Sequence, residues 1–177
     1  MPKYVAFLRA INVGGHIVKM DHLRKLFEAM GFSNVETFIA SGNVIFDSKS
    51  KDTKALEKKI ETQLEKSLGY EVITFLRTPE ELAEIVSYKC FKDSDADGNV
   101  VYIGFVSEIP KDECQKKLMT FRSKADDFNV KGREVYWLCR TKMTESDFSY
   151  KKLEKTFGMP ATFRNSTTVK KLAAKYK

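Results

Sequence analysis

The chain has 177 residues, 42% of them apolar and 31% charged, with a net charge of +7. That length fits one domain or two small ones, and that balance can bury a core. No apolar run approaches the roughly 18–20 residues needed to cross a membrane, and Arg9 interrupts the first apolar stretch before any secretory pattern develops.

The three cysteines (Cys90, Cys114, Cys139) are an odd number without metal-ligand spacing. They read as reduced thiols in a cytoplasmic protein with no membrane partner. The positive charge favours phosphate or polyanion partners. Basic residues are interleaved with acids except in the tail, where Arg164–Lys177 holds five basic residues and no acid.

In chain order, residues 4–11 read as a strand that is apolar on both alternating faces, so both faces should be covered. "MDHLRKLFEAMG" reads as a helix, with Leu23, Leu26, Phe27 and Met30 on one stripe and Gly31 as its stop. "NVETFIASGNVIFDS" reads as two strands joined by a tight turn at Ser41–Gly42–Asn43. Residues 53–69 form a second helix, and "EVITFL" a fourth strand. "TPEEL" starts a third helix, with Thr78 and Glu81 in a capping box and Pro79 at the first helical position.

"KCFKDSDADGN" is polar and turn-rich, the best linker candidate. "VVYIGFV" is a buried strand, Pro110 opens a helix to about Phe121, and "DFNVKGREVYWLC" is a hairpin turning at Lys131–Gly132. A helix over 147–157 stops at Gly158, and a last helix follows Asn165 or Ser166. The first half follows the ferredoxin-like β-α-β-β-α-β plan and the second repeats the pattern. The expected fold is α+β: two ferredoxin-like halves, 1–92 and 93–177, packed together, with a C-terminal helix.

In such a sheet the first and third strands are antiparallel neighbours. Arg9, Asn12, Gly14 and Gly15 should therefore meet Ser41, Gly42 and Asn43 at one edge. Arginine offers a permanently charged fork, Asn and Ser add directional partners, and glycines let backbone N–H groups approach a ligand. No acid lies within eleven residues of Arg9 along the chain. The set suits a small anionic ligand, phosphorylated or carboxylated. It matches neither the dinucleotide fingerprint nor the P-loop. No nucleophile–base pair is visible, so the sequence does not decide whether this is an enzyme, and catalysis would rest on positioning and charge.

"FLRAINVGG", "KM", "TFIASGNVIF" and, near the end, "TFRNSTTVKKL" resemble the bacterial domain-of-unknown-function family 1697. Its pattern is Arg-Gly-Ile-Asn-Val-Gly-Gly, then Lys-Met, then Thr-Tyr-x-x-Ser-Gly-Asn-Val, and finally Thr-x-Arg-Asn-x-x-Thr-Val-x-x-Leu. Here Ala10 replaces a glycine and Phe38 a tyrosine. The resemblance implies two ferredoxin-like units and no known activity.

In the last motif, Arg164, Asn165 and Thr168 are expected at a helix start, where free N–H groups favour anions. A plain cap by Asn165 or Ser166 explains the same residues. Shared Arg/Asn chemistry suggests that this segment contributes to the N-terminal site.

No cofactor or metal is expected. "DSDADG" begins like a calcium loop, but its twelfth position is Gly104 where a glutamate is needed. His16 and His22 match no zinc signature. Tyr136 and Trp137 read as strand core. The alternative function is an RNA-binding module using the basic tail, although the RNA-recognition motif is missing. Nothing in the chain indicates an oligomeric state.

Overall fold

A computed structural model of the chain describes residues 1–11, 15, 17–39 and 42–177. The first half contains β1 (Lys3–Leu8), α1 (Met20–Ala29), β2 (Ser33–Thr37), β3 (Asn43–Asp47), α2 (Thr53–Leu68) and β4 (Thr74–Arg77). Its sheet is antiparallel in the order β2-β3-β1-β4. α3 (Pro79–Ser87) follows. The second half contains β5 (Val100–Val106), α4 (Asp112–Met119), β6 (Asp126–Lys131), β7 (Glu134–Cys139), a 3-10 turn (Met143–Glu145), α5 (Tyr150–Phe157), β8 (Ala161–Asn165) and α6 (Ser166–Lys175). Its order, β6-β7-β5-β8, repeats the first. The compact units are Met1–Glu81 and Leu82–Lys177, so the seam falls inside α3.

Local chemistry accounts for the element ends. Asp52 caps α2 by accepting from Ala55 N, and Gly69 ends it with φ 83. The α3 capping box forms in full: Thr78 N donates to Glu81 Oε2 at 2.8 Å and Glu81 N to Thr78 Oγ1 at 3.1 Å. Two half-buried donors at the helix start thereby find partners within the chain. In the first half, Leu23 and Phe27 of α1 and Leu56, Ile60 and Leu64 of α2 pack on one face of the sheet, against Tyr4, Ala6, Val44 and Phe46. Val5, Phe7, Ile45 and Phe75 alternate to the other face and are equally buried. The two-faced burial expected of the first strand is therefore present.

In the second half, Trp137 anchors the core on the α4/α5 face. Its indole donates to Asp126 Oδ1 at 2.8 Å, and Ser146 Oγ donates to Asp126 Oδ2 at 2.7 Å. One buried carboxylate thus holds the 140–149 loop to the sheet. The polar stretch proposed as a linker folds into the second unit, because Arg140 Nε donates to Asp93 Oδ2 at 2.7 Å and Asn99 Nδ2 to the Asp93 carbonyl at 2.7 Å.

Three expectations need correction. β1 stops at Leu8, because Ala10 turns the chain with φ 59. The helix expected from residue 147 starts at Tyr150, after Ser149, whose side chain caps it. The largest miss is β8. Residues 161–164 alternate apolar Ala161 and Phe163 with polar Thr162 and Arg164, but the run is short and its Arg164–Asn165 end reads as the start of the following helix.

Registers show that the halves correspond residue by residue along their inner and fourth strands. Leu8 pairs with Thr74 and Val5 with Arg77; Val106 pairs with Ala161 and Ile103 with Arg164. Arg77 and Arg164 thus occupy the same position in the two halves. Both fourth strands are sheet edges, and a helix glutamate satisfies each. Thr74 N donates to Glu61 Oε1 at 3.2 Å and Leu76 N to Glu57 Oε2 at 3.1 Å from α2. Ala161 N donates to Glu154 Oε2 at 3.0 Å from α5. Covering an edge in this way blocks pairing with foreign strands.

Candidate functional site

The C-terminal end of β1 lies beside the start of β3, as the fold plan requires. Phe7 pairs with Asn43, and Leu8 N donates to Gly42 O at 2.9 Å. Arg9 follows, half-buried, its N–H bonded to Ile73 O at 2.9 Å. Ile11 is buried, and its carbonyl accepts from the Tyr70 hydroxyl at 3.2 Å. These bonds hold the chain rigid on both sides of the arginine.

Gly42 is required twice over. Its φ of 78 favours glycine, and a Cβ there would meet Ile11 Cγ2 at 2.5 Å. Gly15 also has a positive φ (84), but a Cβ there would meet nothing within 4 Å. Asn43 is fully buried and closes the turn: its Nδ2 donates to Phe38 O at 2.9 Å, while Phe38 N donates to Asn43 O at 3.0 Å. Its amide therefore shapes the loop. Of the remaining expected residues, Asn12, Gly14 and Ser41 lie outside the described residues.

Strain gathers at this edge. Of the three non-glycine residues with positive φ among the described residues, Ala10 (59) and Ile39 (55) both flank it. Ala10 stands where the family pattern has glycine, and the backbone explains that preference. Ile39 is β-branched, for which this conformation is a genuine outlier.

The C-terminal motif belongs to the second half. Arg164 does not start a helix; it sits on β8, 8% exposed, with Nη1 donating to Thr162 Oγ1 at 2.7 Å and Phe163 O at 3.0 Å. Burial lowers its pKa to about 10, and the nearby Tyr150 acts in the opposite direction. Burial likewise pushes the Tyr150 phenol up to about 12. Asn165 is exposed and serves as the α6 cap, its Oδ1 accepting from Thr167 N at 3.0 Å. Thr168 is half-buried in the first turn of α6.

Sequence reading missed Arg77. It is 1% exposed, and its Nη1 donates to Leu76 O at 2.8 Å. The available signal was an arginine ending the apolar run "TFLR" just before a helix cap.

Other signals resolve into structure. Asp93 of the calcium-like stretch is taken by Arg140, and no group of three or more His, Cys, Asp or Glu among the described residues could hold a metal ion. Tyr136 and Trp137 are buried core. No helix among the described residues is long and apolar enough to cross a membrane.

Two antiparallel four-stranded sheets of identical order, each with its helices, define an α+β protein built from two similar ferredoxin-like halves. Residues 1–136 match the family described as "Protein of unknown function (DUF1697)", and the chain belongs to that family. Among solved structures it is similar to the conserved bacterial protein SP0830 from Streptococcus pneumoniae. That match has 24% identity and a TM-score of 0.77 and covers 99% of each chain, a likeness of fold. No match is found among curated proteins.

Proposed function

We propose that the protein binds a small anionic ligand, phosphorylated or carboxylated, at the edge where the RAINVGG loop meets the SGN turn. The observation that carries this reading is backbone strain beside a cation. Ala10 and Ile39 hold left-handed conformations on either side of the half-buried Arg9 and the space-restricted Gly42. Such strain costs about 1–3 kcal/mol per residue and clusters where a loop shape serves a ligand. A guanidinium held at a rigid strand end is a suitable anchor for phosphate or carboxylate oxygens.

The test is a thermal-shift panel of inorganic phosphate, pyrophosphate, citrate and short single-stranded RNA against wild type and Arg9→Gln. A small anion at about 100 times its Kd should add roughly 2.7 kcal/mol. For a chain this size that is a rise of about 5–10 °C in Tm. Arg9→Gln should abolish the rise and leave the ligand-free Tm close to wild type. Loss of several kcal/mol in the ligand-free variant would show a structural ion pair and remove the anchor of the reading. A shift with RNA alone would favour the basic tail.

A further inference from the structure

We propose that a half-enclosed cavity in the second half, between α6, the segment after α3 and the sheet, binds a short-chain carboxylate. It shares no residue with the Arg9 edge and does not depend on that reading. Its volume is about 80 Å³, small enough to limit the ligand to a few heavy atoms.

The lining separates by polarity. Ile85, Val101 and Ile103 supply an apolar surface, suited to a short alkyl chain. Lys89, Lys170 and the Ser166 hydroxyl come from two separate segments and offer cations and a donor to a carboxylate. Neither lysine has an ion-pair partner among the described residues. Asp95 is the one acid in the lining; like Lys89 and Lys170 it is exposed, so the cations stand at the mouth of the cavity and outnumber the acid two to one.

The wall is preorganised. The Tyr136 hydroxyl donates to Ile85 O at 3.3 Å, and the Tyr88 hydroxyl to Asn129 Oδ1 at 2.8 Å. The two rings pack 5.2 Å apart, so little side-chain freedom remains to be lost on binding. Cys90 is also among the lining residues, and burial pushes its thiol up to about 11. Burial raises the Tyr136 phenol further still. Both stay neutral near pH 7 and add no repulsion toward an anion.

A short monocarboxylate fits this division better than phosphate. A dianion would need more fixed donors and would gain nothing from the apolar surface.

Cys90 makes the test direct. Iodoacetate and iodoacetamide alkylate a thiol by the same displacement: the sulfur–carbon bond forms, iodide leaves and the thiol proton goes to solvent. Only iodoacetate carries a carboxylate. Any effect on the thiol's own ionisation cancels in the ratio of the two rates.

The iodoacetate-to-iodoacetamide ratio at Cys90 should fall at least about threefold in Lys89→Gln/Lys170→Gln, the effect of one unit charge roughly 6 Å away in a water-like medium. The ratio at Cys114 should not change. Propionate should slow alkylation of Cys90 and leave Cys114 unaffected, whereas inorganic phosphate at equal ionic strength should protect neither. An unchanged ratio at Cys90, or phosphate protecting it as well as propionate does, overturns the proposal. Should Cys90 resist both reagents, amide NMR decides. Propionate must shift Val101, Tyr136, Ser166 and Lys170 in wild type and not in the double variant, and the absence of those shifts overturns the proposal equally.

Discussion

At Gly42 two constraints act together: a left-handed backbone and a Cβ position already occupied by Ile11. Gly42→Ala should cost about 2–4 kcal/mol, combining backbone strain with overpacking. Gly15→Ala should cost about 1 kcal/mol, because only the backbone term applies. Urea denaturation of both variants measures the difference, and equal losses would contradict the role assigned to the Gly42–Ile11 approach. Ala10 presents the reverse case. Ala10→Gly relieves a positive φ but gives the unfolded chain more freedom. The strain term is the larger, so a gain of up to about 1 kcal/mol is expected in the same assay. A loss would show that the methyl group is packed usefully.

At the scale of elements, the edge of β4 depends on α2. Glu61 accepts from Thr74 N, and its pKa is raised chiefly by burial, with Glu57 and Glu71 adding to the rise. The backbone hydrogen bond works against that shift. A carboxyl with a raised folded pKa favours the protonated protein. Its contribution is fully present below the unfolded value of about 4.3 and is lost as pH rises through the folded value. The stability of wild type relative to Glu61→Gln should therefore decline as pH rises from about 4 toward neutrality, since Gln keeps the acceptor without the charge. Glu61→Leu removes the acceptor and should cost about 1–3 kcal/mol at every pH in that range. Chemical denaturation across the range checks both, and a flat difference for Gln would mean that Glu61 is better solvated than its position indicates. Glu154 performs the same task for β8, so the device belongs to the repeated plan of the halves.

At the scale of the whole molecule, the net charge of +7 sets a general attraction for polyanions, distinct from any site. Of the second sheet's aromatics, Phe105, Phe128, Tyr136, Trp137 and Phe163 are buried and offer bases no stacking surface, and Tyr102 is half-buried. Short single-stranded RNA should leave Tm unchanged at about 150 mM salt, where exposed charges are screened. Binding that survives this salt, with a slope of log K against log salt that falls by about 0.7 for each of Lys170, Lys171 and Lys175 neutralised, would establish the RNA reading instead.

Sequence alone determined the α+β plan and the type of every α-helix and strand but β8, because those follow from local periodicity and end chemistry. The stripe of Leu23 and Phe27, the cap at Asp52, the box at Thr78–Glu81 and the stop at Gly158 act over a few residues and read directly. It also brought the strand 4–11 loop to the SGN turn, because one topology follows from the β-α-β-β-α-β order.

Tertiary structure decided the rest. β8 escaped because its alternating run is only five residues long and leads straight into α6, so its arginine resembles a helix-start residue until its partners Thr162 and Phe163 are seen. The equivalence of Arg77 with Arg164, and of Glu61 with Glu154, is set by strand register and helix docking, which leave no shared local pattern. The close approach of Gly42 to Ile11 likewise joins residues far apart along the chain, and only the packed sheet brings them within van der Waals distance.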